Sequence, residues 1–346
     1  MRARPRTRAA IALTVAALLL AGAPEALARS VRIVGVHVST GTKGCPAAAV
    51  DPATRLGRIA TANTYLRSLV THDTSELRVS DDVVRTEEGS VTADGAEEIC
   101  QGNQGPVTVE DAVFSIRQLR WVVADGNEVI SFYLLDSPTS PTYIAERFRV
   151  EHGLIKHIEA IFYIDVPGLV VGPESLVRRP GNVTDRVFNS DHGPVGFFAP
   201  ANSQGDVSTP RPGDRTVMRA TAQAYLNALA THDASALSLG PNAQRMENRR
   251  MHGRSAEEIS AAIESAGNGI TKIADARIYI EGNEAVAMYR VSSTVRDAAG
   301  TSLVLGGSDI WAATRLRVDN GRITQIESLC SDSAYCGTRG PAVQDR

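Results

Sequence analysis

The strongest constraint in this chain is that it repeats itself. Seventeen of the 40 positions from 60 to 99 recur without a gap 160 residues later. Tyr65-Leu66 returns as Tyr225-Leu226, and Thr71-His72-Asp73 returns as Thr231-His232-Asp233. Arg85 and Glu87 return as Arg245 and Glu247, and Ala96 to Ile99 returns as Ala256 to Ile259. Farther along, the spacing changes. Gly126-Asn127-Glu128 matches Gly282-Asn283-Glu284, 156 residues on, and Arg147 to Val150 matches Arg315 to Val318, 168 residues on. Gly153, Ile155, Ile158 and Glu159 match Gly321, Ile323, Ile326 and Glu327 at the same 168 spacing. Such steps mark loops of unequal length, where insertions are tolerated. A stretch copied in this way is a folding unit, so the chain holds two versions of one domain. They run from 56 to 165 and from 215 to 332.

The flanking segments read differently. Residues 1–28 have the pattern of a secretory signal peptide: Arg2, Arg4, Arg6 and Arg8, an apolar run from Ile11 to Leu20, then Ala26-Leu27-Ala28. Ten apolar residues are too few to span a bilayer, which takes about 20. The expectation is a secreted protein with no membrane association after cleavage. Residues 29–55 form an arm and 333–346 a tail. The connector, 166–214, carries seven Pro and seven Gly, which break helix and sheet alike. Within it, Asn182-Val183-Thr184 has the pattern of a glycosylation sequon.

Charge narrows the partners. Removing the signal takes away four Arg and one Glu, and the net charge goes from −3 to −6. A mildly acidic protein has no electrostatic footprint for nucleic acid. The four cysteines suit an oxidising compartment and read as structural. Three pairings are open to them. Cys330 and Cys336 are close enough in sequence for a short loop, which leaves Cys45 for Cys100. No Cys-x2-Cys pair or His cluster suggests a metal.

Each copy opens with a helix. Ala62, Tyr65, Leu66 and Leu69 form a helical stripe, repeated at Ala222, Tyr225, Leu226 and Leu229. The helix should end near His72 or His232, with Asp73 or Asp233 capping a short helix after it. A further short helix begins near Gly95 or Ser255, and Ser255 with Glu258 makes a capping box. Four strand-like runs follow: Phe114–Val123, Glu128–Leu135, Thr142–Val150 and Leu154–Tyr163. Their counterparts are Ala276–Glu281, Glu284–Ser292, Asp309–Val318 and Arg322–Cys330. Helices followed by an antiparallel meander define an α+β unit, a curved sheet closed by its N-terminal helix into a cone-shaped barrel with an internal pocket.

This order, with Tyr65-Leu66-x-x-Leu69-x-x-His72-Asp73, its twin at Tyr225, and the ending Gly153-x-Ile155-x-x-Ile158-Glu159, resembles the SnoaL-like branch of the nuclear-transport-factor-two-like superfamily. The resemblance implies one conical pocket per copy. Within that superfamily it implies either cofactor-free enzymes, such as isomerases, dehydratases, epoxide hydrolases and cyclases, or binding and association modules.

Polar residues kept in both copies are the candidates for chemistry. Glu87 and Glu247, each two residues from an Arg on the same strand face, suit a general base tuned by Arg85 or Arg245, or equally a same-strand ion pair. Glu159 and Glu327 lie on the last strand beside Ile161 and Leu329. They suit a buried acid, or the cross-strand partner of Arg147 and Arg315. His72 and His232 suit either acid–base work or simple placement at a helix C-terminus. Tyr65 and Tyr225 point to core packing or to pocket donors, and Tyr143 and Trp311 to an aromatic pocket wall. Arg147, Arg149, Arg315 and Arg317 alternate with apolar residues, as an anion clamp or a solvated strand face would. No nucleophile elbow, H-E-x-x-H or phosphate loop occurs, so no cofactor is expected.

Two functions fit. One is a secreted, cofactor-independent acid/base enzyme acting on a small, largely apolar metabolite. The other is a secreted small-ligand-binding or association module built as an internal pseudo-dimer, monomeric as a chain. If Glu87 and Glu159 share a cavity, the first gains; if they do not, or if Phe, Tyr and Leu fill the cone, the second does.

Overall fold

The computed structural model describes residues 51–104, 115–136, 142–164, 210–248, 250–265, 270–293, 295–296, 302–303 and 310–331. The signal segment, the arm up to residue 50, Cys45, residues 165–209 with the sequon, Cys336 and the tail lie outside them.

The first copy runs α1 (Arg55–Thr71), β1 (Val79–Glu87), β2 (Ser90–Asp94), α2 (Ala96–Gln104), β3 (Ser115–Ala124), β4 (Glu128–Asp136), β5 (Thr142–Glu151) and β6 (Leu154–Ile164). The second runs α3 (Arg215–Thr231), β7 (Leu239–Glu247), β8 (Arg250–Gly253), α4 (Ala256–Glu264), β9 (Ile270–Glu281), β10 (Glu284–Ser293), β11 (Val295–Arg296), β12 (Ser302–Leu303), β13 (Ile310–Asp319) and β14 (Arg322–Cys330). Strands β11 and β12 pair in a small hairpin of their own.

Capping chemistry sets the helix ends. Thr54 accepts from Gly57 N–H to open α1, and Asp214 accepts from Thr216 and Val217 to open α3. Both helices stop where His72 (φ 55°) and His232 (φ 59°) turn left-handed. The expected short helix after Asp73 is instead a single turn, in which Asp73 accepts from Ser75 N–H at 2.9 Å and Asp233 from Ser235 at 2.8 Å. Ser255 caps α4 through Glu258 N–H, while the Glu258 carboxylate reaches back to Arg254 N–H.

The two sheets have the same order, β2-β1-β6-β5-β4-β3 and β8-β7-β14-β13-β10-β9. They are mixed, which corrects the antiparallel expectation. β1 lies parallel to β6, and β7 parallel to β14. The reason is the connection: β1 joins the sheet beside its last strand, and α2 carries the chain across to the far edge. The meander itself is antiparallel. Its tight turns fall at Gly126-Asn127 (φ 74° and 68°) and His152-Gly153 (φ 52° and 77°), left-handed pairs that suit hairpins.

Each sheet is buried on both faces. Its inner face packs on the copy's own helices. In the first copy Ile59, Tyr65 and Leu66 of α1 meet Trp121, Val129, Tyr133, Phe148 and Ile158. In the second copy Met218, Tyr225 and Leu229 of α3 meet Ile280, Tyr289, Leu316 and Ile326. The outer faces pack on each other: Ile130, Phe132, Tyr143 and Ile161 share one cluster with Val286, Met288, Ala313 and Leu329.

Polar contacts between the copies come in equivalent pairs, as a two-fold interface requires. Arg277 of β9 bonds Glu159 of β6 at 2.7 and 2.5 Å, and its counterpart Arg120 of β3 bonds Glu327 of β14. Arg55 of α1 meets Glu281 at the end of β9 at 2.5 Å, and Arg215 of α3 meets Asp125 after β3 at 2.7 Å.

The β1–β2 turn belongs to this contact. Gly89 has φ 77°, and a Cβ there would overlap the Trp311 ring of the other copy. Gly89→Ala should therefore destabilise the chain by about 1–3 kcal/mol, from left-handed strain plus overpacking. Chemical denaturation measures this, and a loss below about 0.5 kcal/mol, typical of a surface change, would contradict the contact.

Candidate active site in the first copy

The inner face of the first sheet collects five polar side chains from four elements. Tyr65 comes from α1, Arg85 and Glu87 from β1, Tyr133 from β4 and Glu146 from β5. Strand alternation places them: Val129 and Tyr133 point inward on β4, and Ile144, Glu146 and Phe148 on β5. Arg85 anchors the set. Its Nε donates to Thr92 Oγ1 at 3.0 Å, its Nη1 donates to Tyr65 Oη at 3.3 Å, and it pairs with Glu87 at 3.5 Å. Tyr133 O–H donates to Glu146 Oε2 at 2.8 Å. Among the described residues, no other side chain bonds the Glu146 carboxyl.

Burial sets the electrostatics. Glu146 is 2 % exposed. Desolvation pushes its carboxyl up to about 8, and the Tyr133 hydrogen bond and the charge of Arg85 only partly oppose this. Burial likewise raises the Tyr65 and Tyr133 phenols, with the Glu146 charge adding to it, so both remain hydroxyl donors. The pair beside them is more open, with side-chain exposures of 16 % for Arg85 and 31 % for Glu87. A neutral acid thus lies behind an ion pair that reaches the surface.

The second copy repeats the frame without the acid. Thr314 stands where the first copy has Glu146, and Tyr289, Thr314 and Ser328 form a chain of hydroxyls with contacts of 2.9 Å. Arg245 donates to Glu247 at 2.8 Å, and this pair is closed off, at 1 % and 6 % exposure. Burial pushes Glu247 up to about 7, with Arg245 opposing it.

A domain family described as a domain of unknown function (DUF8021) matches residues 51–162 and again residues 211–330. The chain belongs to that family. Its two DUF8021 copies are tandem units of one α+β fold, each a six-stranded mixed sheet with its helices. No curated protein matches the chain. Among solved structures it is similar to a protein assigned to the SnoaL-like polyketide cyclases of Jannaschia sp. CCS1, with 11% identity, 36% of this chain and 91% of that one covered, and a TM-score of 0.29. It is also similar to a LEH-like epoxide hydrolase of M. tuberculosis (18% identity, 33% and 83% covered, TM-score 0.27). A third is an NTF2-like protein of unknown function from Cytophaga hutchinsonii (17%, 33% and 88%, TM-score 0.25). Each spans a single DUF8021 copy's worth of this chain.

The remaining sequence candidates, apart from Tyr225 in the second interior, lie away from the DUF8021 interiors. Glu159 and Glu327 are on the outer faces, so Glu87 and Glu159 do not share a cavity, and on that criterion the binding or association module gains. They are cross-strand partners of Arg147 and Arg315 in register, the second of the two readings of these residues. Arg147 donates to Glu159 at 2.9 Å and to Glu128 at 2.8 Å, and Arg315 pairs with Glu284 and, at 3.7 Å, with Glu327. Burial raises Glu159, but the guanidinium groups of Arg277 and Arg147 outweigh it and hold the carboxyl below its ordinary value.

Tyr143 and Trp311 are also on the outer faces. Tyr143 donates to Gln118 Oε1 at 2.7 Å, and the Arg290 guanidinium lies 5.9 Å from the centre of the Trp311 ring. His72 and His232 hold helix ends to neighbouring backbone, at the carbonyls of Asn103 (3.1 Å) and Ile270 (2.9 Å). Tyr225 is buried beside Arg245 and Ser328. Cys100, on α2, is a free thiol, which corrects its expected disulfide: Cys330 is the only other cysteine described, and it lies in the core of the other copy. Its expected partner Cys45 lies outside the described residues. Among the described residues, no group of three His, Cys, Asp or Glu side chains is placed to hold a metal, and no helix is long and apolar enough to cross a membrane.

Sequence reasoning passed over Glu146 and Tyr133. Tyr133 carried a usable signal, since Tyr289 is its twin 156 residues on. Glu146 carried none under a rule that kept only polar residues shared by both copies, because Thr314 replaces it.

Proposed function

We propose that the first copy is a cofactor-independent acid–base site for a small, largely apolar molecule, of the isomerase or lyase kind, and that the second copy is its structural partner. In this reading Glu146 is the proton donor and Glu87 the base. Tyr133 holds the donor: its O–H occupies Oε2, which leaves the acid proton on Oε1 for a substrate atom. Arg85 holds Glu87 and Tyr65, and the Tyr65 proton orients the substrate. One observation carries this reading: the buried Glu146 carboxyl, pushed up to about 8, lies among apolar residues in the same interior as the partly exposed carboxyl of Glu87, which pairs with Arg85. Two carboxyls in such different surroundings, one desolvated and one paired with an arginine, can give a proton at one end of a substrate and take one at the other.

The test is a small-molecule screen by thermal shift on wild type, Glu87→Gln, Glu146→Gln and Glu247→Gln, with hits followed by mass spectrometry for turnover. Hits should stabilise wild type and Glu247→Gln, by about 2.7 kcal/mol at 100 times Kd. Turnover should fall by at least about 100-fold in each first-copy variant, the usual scale for losing a general acid or base. Hits lost only in Glu247→Gln, or turnover kept in both first-copy variants, would overturn the assignment.

A further inference from the structure

Resting on the reading of the first copy as a ligand site, we infer that the molecule it takes carries a basic nitrogen, which takes the Glu146 proton and remains as the partner of its carboxylate.

The polar side chains that meet in the interior are Tyr65 from α1, Arg85 and Glu87 from β1, Tyr133 from β4 and Glu146 from β5, while the residues of β2, α2, β3 and β6 in the same cluster are apolar. Arg85 is the cation of this set, and Glu87 already pairs with it at 3.5 Å. Glu146 therefore has no cation of its own. It is 2 % exposed, and among the described residues its Oε1 has no hydrogen-bond partner. The Tyr65 oxygen accepts from Arg85, which leaves its proton for a further acceptor.

The second copy acts as an internal control. It has the same helix, the same Tyr, and the same Arg and Glu, yet threonine replaces the extra acid. Three of its hydroxyls, on Tyr289, Thr314 and Ser328, bond one another, while the buried Tyr225 hydroxyl has no hydrogen-bond partner among the described residues, and its one acid has its one Arg. The fold thus closes without a buried carboxyl at this position. Glu146 is surplus to folding and costs desolvation, as an acid kept for a ligand does.

The side chains packed around Glu146 favour nitrogen over a second anion. Tyr65, Trp121, Tyr133 and Phe148 belong to one buried cluster, with the Phe148 ring 5.7 Å from Tyr65 and 6.4 Å from Trp121. Aromatic faces attract organic ammonium groups. A ligand carboxylate would be a third acid against one Arg. With an amine the step balances: the Glu146 O–H bond breaks, an N–H bond forms, and an ammonium–carboxylate pair remains.

Three probes that differ only in head group test this: benzylamine, benzyl alcohol and benzoate, titrated at pH 7 into the full chain by thermal shift and tryptophan fluorescence. Benzylamine should bind at least tenfold tighter than benzyl alcohol, and benzoate weakest. Glu146→Gln should bring benzylamine down to the level of the alcohol, and Glu247→Gln should alter neither. Calorimetry in two buffers adds a readout that packing alone does not move. Wild type should release about one proton per benzylamine cation bound, and Glu146→Gln none. Benzyl alcohol or benzoate binding as tightly as the amine overturns the nitrogen inference but keeps a ligand-taking first copy. No binding by any probe to folded wild-type protein overturns the inference and counts against the acid–base site as well.

Discussion

Glu146→Gln should make the chain more stable at alkaline pH and flatten its stability profile between about pH 4.5 and 8. Glu146 has its folded-state pKa raised to about 8 from 4.5. Between those values the folded protein keeps a proton that the unfolded chain gives up, so wild-type stability is highest below pH 4.5 on this account and falls as the pH rises to 8. A tenfold change in an acid dissociation constant is worth about 1.4 kcal/mol, so the loss by pH 9 is on the order of 2–5 kcal/mol. Glutamine keeps an acceptor for Tyr133 and never ionises. Urea unfolding at pH 5 and pH 9 should therefore show a small difference between variant and wild type at the lower pH and a variant more stable by that amount at the higher. Glu247, raised to about 7, has the same sign, so a shallower slope should persist in the variant up to pH 7. Parallel curves for the two proteins would contradict a buried acid at position 146.

Glu327→Ala should destabilise the chain by about 3–5 kcal/mol, the scale for breaking a buried ion pair and leaving its partner uncompensated. Arg120 and Arg315 are the partners, with side chains only 6 % and 2 % exposed, and Arg120 reaches Glu327 from the other copy. The same change at Glu151, whose partner Arg149 is 53 % exposed, should cost less than about 1 kcal/mol. Comparable losses at the two positions would mean that the interface between the copies is hydrated.

The architecture was legible because duplication gives every signal twice. Tyr65 and Tyr225, or His72 and His232, locate the same helix and the same helix end in independent surroundings. What escaped was the pairing of β1, since sequence order puts it first and the sheet puts it beside β6. The location of the chemistry escaped for a different reason. Burial normally tells an inward residue from an outward one, but here the outer face of each sheet is covered by the other copy. Glu159, between the buried Ile158 and Ile161, is buried on the outer side. Glu146 and Arg147 are adjacent and both buried, yet they serve opposite faces: one ends in the interior, the other in the contact between copies. Period-two alternation could separate the two faces without saying which was the pocket. Comparing the copies by identity then removed Glu146, the buried acid that the second copy replaces with Thr314, although such a difference is the expected trace of two copies taking different roles.

The most direct test is a pH titration of the glutamate carboxyls by carbon-13 nuclear magnetic resonance on the full chain, with Glu146→Gln used to assign the key signal. A carboxyl that titrates near pH 8, disappears in that variant and survives in Glu247→Gln is the predicted result. A Glu146 signal that titrates in the ordinary carboxylate range, about 4 to 5, would show the side chain in water and leave the first copy with no more chemistry than the second.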